Sequence, residues 1–263
     1  MTAKRILAGF HAVNARLRHA PETIEALYVD ARRRDGRMAQ LQQRAADLKV
    51  KVVAADPERL RGLAGETPHQ GVVAVAAHLD EPLSLDDVIN DIGPGTLLLL
   101  LDGVTDPRNL GACLRVADAA GVRAVIVPRD RSVGLTPAAL KAAAGAAEAV
   151  PLIAVTNLAR AMDDLRDAGV RLVGAAGEAG QSLFDLDLTG PLAWVLGAEG
   201  AGLRRLTRER CDALASIPII GHVESLNVSV ATGICLYEAV RQRRVSTAEG
   251  MRFAGAPPEP SSS

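Results

Sequence analysis

The chain has 263 residues, 48% of them hydrophobic and 23% charged, a balance ordinary for a soluble globular protein with one large or two small cores. A net charge of −1 excludes a global basic field, and an aromatic content of 2% excludes RNA recognition built on stacking platforms. Three cysteines without a CxxC pair and five scattered histidines exclude a disulfide framework and a thiolate or HExxH centre, so no metal is expected.

In chain order, residues 4–77 alternate helical and strand patterns. A helix begins near Gly9 and continues through 14–19. A strand at 24–29, a helix at 37–48, a strand at 50–54, a short helix at 57–63 and a strand at 71–76 follow. This predicts a compact α/β module over residues 1–77. Charge is uneven: residues 1–80 hold 13 Lys and Arg against 9 Asp and Glu. Arg32, Arg33 and Arg34 read either as a solvated face or as an RNA-facing cluster.

Residues 78–95 are acidic, hold Pro82, Gly93, Pro94 and Gly95, and contain one short helical pattern. They read as a linker. Strands are then predicted at 97–101, 124–127, 151–155, 171–175, 192–196 and 215–219. Helices are predicted at 110–120, 137–147, 158–168 and 230–243. Short apolar strands between helices indicate a parallel sheet buried on both faces, a second α/β domain over residues 96–245. Residues 246–263, ending in GAPPEPSSS, read as a disordered tail. No cleavable signal is evident, and the longest apolar stretch, 96–101, is far too short to span a bilayer. A cytoplasmic, reduced protein without membrane attachment is expected.

Three polar segments sit at the mouths of apolar strands. In 102–122, Asp106, Pro107 and Asn109 suit a helix cap. Arg115, flanked by Leu114 and Val116 in a helix expected to pack, needs an anionic partner. In 196–205, Gly197, Gly200 and Gly202 follow the strand AWVL, a turn that lets backbone amides approach a ligand. Its order is GxxGxG rather than GxGxxG, and no acid stands at the spacing a nicotinamide dehydrogenase needs. Glu199 at the turn disfavours a pyrophosphate. In 217–243, Ser225, Asn227 and Ser229 alternate with Leu226 and Val228, so an extended segment would set the polar groups on one face. Strand-edge capping is the structural alternative.

Taken together, these segments resemble the SpoU/TrmH branch of the SPOUT superfamily of RNA methyltransferases. Asn109 to Arg115 is similar to its first motif, 196–202 to its second and 217–238 to its third. The opening residues resemble the substrate-binding domain of the rRNA-specific members, through GFHAV at 9–13 and HQGVVA at 69–74. The resemblance covers nearly everything except the tail.

The resemblance implies a deep trefoil knot in the second domain, where the usual topology rules predict a plain doubly wound sheet. It implies S-adenosylmethionine held by Gly197, Ile217 and Leu226, with Ala198, Gly200, Gly202, Ile219 and Gly221 beside them. It also implies a homodimer and 2′-O-methylation of a guanosine ribose in the peptidyl-transferase region of 23S rRNA, either free or in an assembling ribosome. Arg115 is the implied catalytic residue, Glu199 the alternative base, Ser225 and Asn227 the groups that orient ribose or Arg115, and Asn109 a loop support. A tRNA ribose methyltransferase, an antibiotic-resistance rRNA methyltransferase and a non-catalytic RNA-binding assembly factor are the competing readings.

Overall fold

The computed structural model describes residues 4–65, 67–77, 83–198, 200 and 202–254. The first sheet contains β1 (Lys4–Ala8), β2 (Ile24–Asp30), β3 (Val52–Ala55) and β4 (Val72–Ala77), in the order β1-β4-β2-β3. β4 runs antiparallel to both β1 and β2, and β3 runs parallel to β2. The sequence reading did not anticipate β1. Its sequence KRILA buries only Leu7, because it is an edge strand and one side of each cation can remain in water.

Helices α1 (Phe10–His19), α2 (Gly36–Asp47) and α3 (Pro57–Ala64) flank this sheet. Asp35 caps α2 by accepting a hydrogen bond from the Met38 amide, and Asp56 caps α3 with Pro57 at its first position. Met38, Leu41 and Ala45 then fall on one face of α2 and are buried against Leu27 and Val29 of β2.

The second sheet contains β5 (Leu97–Asp102), β6 (Ala124–Pro128), β7 (Leu152–Val155), β8 (Arg171–Ala175), β9 (Leu192–Gly197) and β10 (Ala213–Ala215). Its order is β10-β8-β9-β5-β6-β7, and every pairing is parallel. β5 and β9 lie at the centre. The run of five leucines in β5 is wholly buried. Leu97, Leu99 and Leu101 join Trp194 and Leu196 on one face, and Leu98 and Leu100 join Ala193 and Val195 on the other. Each buried leucine contributes roughly 1.5–3 kcal/mol relative to exposure.

Helices α5 (Pro107–Ala120), α6 (Pro137–Ala143) and α9 (Val228–Ala254) cover the Leu99 face, while α4 (Leu85–Asn90) and α7 (Leu158–Asp167) cover the Leu98 face. The short α8 (Arg205–Glu209) follows β9. α5 and α6 touch closely: a Cβ at Gly111 would lie 2.3 Å from the Ala139 carbonyl oxygen.

Three boundaries differ from the sequence reading. The strand expected at 215–219 is instead Ala213–Ala215, and 217–227 is irregular. Pro218 has no amide to donate, and Ile220 is fully exposed, so this apolar run is a surface loop rather than a core strand. The helix expected at 137–147 stops at Ala143. Ala144 and Gly145 take left-handed backbone angles, and a 3₁₀ turn follows at Ala146–Glu148. A Cβ at Gly145 would lie 2.6 Å from the His11 carbonyl oxygen, so glycine permits α1 to dock there. The last helix starts at Val228 and continues to Ala254, into the segment read as a disordered tail; 255–263 lie outside the described residues. Within the segment read as a linker, α4 is a capped helix with a Ser84–Asp87 capping box, and 78–82 lie outside the described residues.

Candidate active site

The carboxyl ends of β5, β8 and β9 open on one side of the second sheet. Parallel α/β sheets bind ligands in this position, where the strand order reverses. β5 ends in Asp102, whose side chain is fully buried. It forms an ion pair with Arg204, which lies beyond the glycine-rich turn after β9. The Arg204 Nε donates to Asp102 Oδ1 at 2.7 Å, and the Arg204 amide donates to Oδ2 at 3.2 Å. A buried carboxylate held by both guanidinium and backbone is a strong tie, and it fixes the turn against β5. Sequence reasoning missed this pair. The available signal was an acid closing a five-leucine run.

The turn itself is tight. The Gly202 amide donates to the Ala198 carbonyl at 2.9 Å. A Cβ at Gly197 would lie 2.0 Å from the Gly202 carbonyl carbon, closer than any side chain permits. Gly200 and Gly202 adopt φ of +79° and +63°. Glu199, the alternative base in the sequence reading, lies outside the described residues, as does Ala201.

Facing this turn is the loop 217–227. Ile217, Ile219, Ser225 and Leu226 enclose a cleft of about 510 Å³ together with Gly197, Ala198, Gly200 and Gly202. Ala175, Ala176, Gly177 and Glu178, which continue from β8, complete the wall and were not anticipated. Gly221 is not among the lining residues. An ion pair between Arg208 and Glu178 holds the Glu178 carboxyl below the usual carboxylate range. The cleft has the size of a small-molecule site. Its apolar walls, Ile217 and Leu226, suit a flat heterocycle, and its floor of glycine and alanine leaves backbone amides and carbonyls within reach of polar edges. S-adenosylmethionine carries both kinds of group, so the residues present fit it.

Two further candidates meet at the entry to α9. The Asn227 Nδ2 donates to Asn109 Oδ1 on α5 at 3.0 Å, joining the first and third polar segments. The Asn227 Oδ1 accepts from the Ser229 amide at 2.9 Å and from its hydroxyl at 2.6 Å, so Asn227 also caps α9. Ser229 and Thr232 serve the helix: the Thr232 hydroxyl donates to the Val228 carbonyl at 2.8 Å. Asp106 caps α5 as read from sequence, accepting from the Arg108 amide at 2.7 Å.

Arg115 departs from its expected setting. Leu114 is buried and Val116 half-buried, but the Arg115 side chain faces solvent, with no ion-pair partner among the described residues. It does not line the cleft of its own chain. A helix turns about 100° per residue, so Arg115 need not share the buried face of Leu114.

Among the described residues no group of three or more His, Cys, Asp or Glu could hold a metal ion, and no helix is long and apolar enough to cross a membrane.

A model of the SpoU rRNA Methylase family matches residues 96–237, and one described as RNA 2′-O ribose methyltransferase substrate binding matches residues 6–82. The chain is 57% identical over 249 residues to the 23S rRNA (guanosine-2′-O-)-methyltransferase RlmB of Ralstonia nicotianae, covering 95% of this chain and 100% of that protein. Among solved structures it is similar to the SpoU methyltransferase AviRb from Streptomyces viridochromogenes in complex with AdoMet. The TM-score is 0.72 at 30% identity, over 92% of this chain and 91% of that one. It is also similar to an AdoMet-bound rRNA methyltransferase from Sinorhizobium meliloti, with a TM-score of 0.67 at 26% identity over 90% and 87% of the two chains.

Proposed function

The chain belongs to the SpoU rRNA methylase family, and from that premise we propose that it methylates the ribose 2′-hydroxyl of a guanosine in 23S rRNA, using S-adenosylmethionine. The observation that carries this reading is the convergence of the Gly197 turn, the 217–227 loop and the Asn109–Asn227 contact on one side of the parallel sheet.

When bound, S-adenosylmethionine supplies an electrophilic methyl group on a sulfonium. Gly197, Ala198, Gly200, Gly202, Ile217, Ile219 and Leu226, which line the cleft, would hold it, the glycines through backbone and the two isoleucines and Leu226 through apolar contact. A ribose hydroxyl is a weak nucleophile until its proton leaves or its developing charge is supported. Arg115 provides that support. Its guanidinium stays protonated, so it acts by clamping a phosphate beside the target ribose and stabilising the forming alkoxide. Glu199 or solvent would take the proton that the ribose hydroxyl gives up. Ser225, at the cleft edge, orients the ribose, and Asn109 and Asn227 brace the loop that carries it.

Arg115 is exposed and outside its own cleft, which supports a homodimer in which each subunit's Arg115 serves the partner's site. α9 exposes Val230 and Tyr237 seven residues apart on one stripe, and the Tyr237 hydroxyl donates to the Ala119 carbonyl of α5 at 3.5 Å. This α5–α9 face is the proposed dimer surface. The reading also includes a trefoil knot between β9 and α9, an RNA-binding module over residues 1–77 and a methyl-transfer module over 96–245. It places the protein in the cytoplasm, acting on free rRNA or an assembling subunit.

Mapping 2′-O-methyl sites in 23S rRNA from a deletion strain, with and without the restored gene, tests the proposal. One guanosine should lose and regain its mark. An unchanged pattern overturns the substrate assignment.

A further inference from the structure

The first sheet carries a second concave surface that methyl transfer does not use. It is a groove of about 220 Å³ between α1 and α2, sharing no lining residue with the cleft described above. His11, Asn14 and Arg18 reach it from α1, and Arg37, Gln40 and Arg44 from α2. Both sets follow the spacing i, i+3, i+7, so each helix presents one stripe to the groove. Among the described residues no carboxylate lines it.

Charge in this groove is uncompensated by design of the contacts. Elsewhere in the same module Arg5 and Arg16 meet Glu148, and Arg33 meets Asp35. Among the described residues no carboxylate pairs with Arg18, Arg37 or Arg44. Two of these three are nonetheless held in place by neutral groups. The Arg37 guanidinium lies 4.4 Å from the centroid of the buried Phe10 ring, and its Nη2 is 3.4 Å from His11 Nε2. The Arg44 Nη1 donates to Asn14 Oδ1 at 2.5 Å. Fixed guanidiniums with their full charge facing water suit anionic oxygens that accept two parallel bonds.

The ligand chemistry follows from what the groove contains and lacks. Arg37 and Arg44 stand about 10 Å apart along the helix axis. A nucleic-acid strand advances about 3.4 Å per phosphate, so the groove spans more than one nucleotide. Gln40 offers an amide to a ribose 2′-hydroxyl, while the Asn14 amide is engaged by Arg44 and the Phe10 carbonyl. Phe10 is 1% exposed and offers no face on which a base could stack. The groove can therefore grip a sugar–phosphate chain without reading its bases. At one end, the His11 carbonyl packs on Gly145, and the adjoining 3₁₀ turn packs on α5, the helix that carries Asn109 and Arg115.

We propose that the α1–α2 groove is a sequence-independent clamp for the RNA backbone, engaging the substrate away from the target nucleotide. The inference rests on the RNA methyltransferase reading and adds to it the surface that holds the substrate.

The test uses the full chain and a 23S rRNA fragment containing the methylated guanosine. Arg18→Gln and Arg44→Gln each remove one charge. Gln40→Glu inserts a carboxylate at an exposed site without removing a packing contact. Arg61→Gln on α3, outside the groove, is the control. RNA affinity is followed across a salt series, with steady-state methylation and calorimetric S-adenosylmethionine binding in parallel. Each groove variant should raise the KM for RNA roughly tenfold. It should also flatten the slope of log affinity against log salt by about 0.7 per lost phosphate contact. kcat, cofactor affinity and Tm should hold. Unchanged KM and slope in all three variants, or an equal change in Arg61→Gln, overturns the clamp. If the groove variants weaken RNA binding but the wild-type chain transfers no methyl group, the clamp stands and the enzymatic reading fails.

Discussion

The Arg16 Nη2 lies 2.5 Å from Glu148 Oε2, although 132 residues separate the two and the Arg16 side chain is wholly buried. Arg5 adds a second contact, 2.6 Å to Glu148 Oε1. Arg16 also donates to Thr23 Oγ1 at 3.1 Å and to the Ala77 carbonyl at 3.3 Å. One carboxylate from the 3₁₀ turn beside the second sheet thus pairs with two arginines of the first. Buried pairs add little stability over an apolar substitute, but removing one partner strands the other charge.

Glu148→Ala should therefore destabilise the folded chain by roughly 3–5 kcal/mol, read as a lower urea midpoint. The double variant Arg16→Met with Glu148→Leu should recover most of that loss. Equal midpoints for Glu148→Ala and wild type would show that the contact does not hold the two sheets together.

Asn227 serves two partners at once, and substitution can separate them. Asn227→Ala loses the α9 cap and the contact with Asn109, and should cost about 1–2 kcal/mol. Asn227→Asp keeps an acceptor for Ser229 but loses the Nδ2 donor, so it should cost less than half as much while methylation still falls. Chemical denaturation and turnover, measured on both variants, check the split.

Gly197 and Gly200 make a second contrast. Gly197→Ala drives a Cβ into the Gly202 backbone, so S-adenosylmethionine affinity should fall by more than about tenfold as the turn shifts. Gly200→Ala meets open space but a φ of +79°, and should cost only about 1 kcal/mol of stability. Titration calorimetry giving wild-type affinity for Gly197→Ala would remove the turn from the cofactor site.

Arg115→Ala should lower methyl transfer by about 10³-fold or more. Cofactor affinity and Tm should remain at wild-type values, because the side chain is exposed and makes no ion pair among the described residues. Near wild-type turnover would displace Arg115 from the chemistry.

Burial pushes the Cys113 thiol up to about 11 and the Cys235 thiol up to about 12. Their unfolded values lie near 8.5. A raised folded value means stability that is fully present below about pH 8.5 and is lost as pH rises through the folded values. Urea midpoints should decline over that alkaline window. At pH 8 both thiols should resist alkylation in the native chain and react after unfolding. Rapid native labelling of either would contradict the burial.

The cleft side of the second sheet was partly legible before any fold was known. Gly197, Ala198, Gly200, Gly202, Ile217, Ile219 and Leu226, named from the motif resemblance, all line one cleft, and Asn109 and Asn227 touch. Legibility ended where a run of residues had two physical solutions. The stretch around Ile217 and Ile219 is as apolar as a buried strand, but Pro218 breaks a ladder, and the loop turns its side chains to the cleft and the surface. Leu114 and Val116 pointed to an anionic partner for Arg115, but the direction of Arg115 on α5 depends on which face the sheet covers.

What the sequence by itself determined is local. Five leucines in a row make a central strand. Asp35, Asp56, Thr136 and Asn157 start helices by accepting from amides three residues on. Alternating strands and helices make a parallel sheet. These outcomes depend on groups within a few bonds of one another, so spacing encodes them. Only the tertiary structure decided that Arg16 meets Glu148, that Asp102 meets Arg204 across 102 residues, and that Arg18, Arg37 and Arg44 are left facing water. The chain has 30 cations and 31 acids, and nothing in their order says which pair. That choice follows from which surfaces come together when the apolar faces are buried.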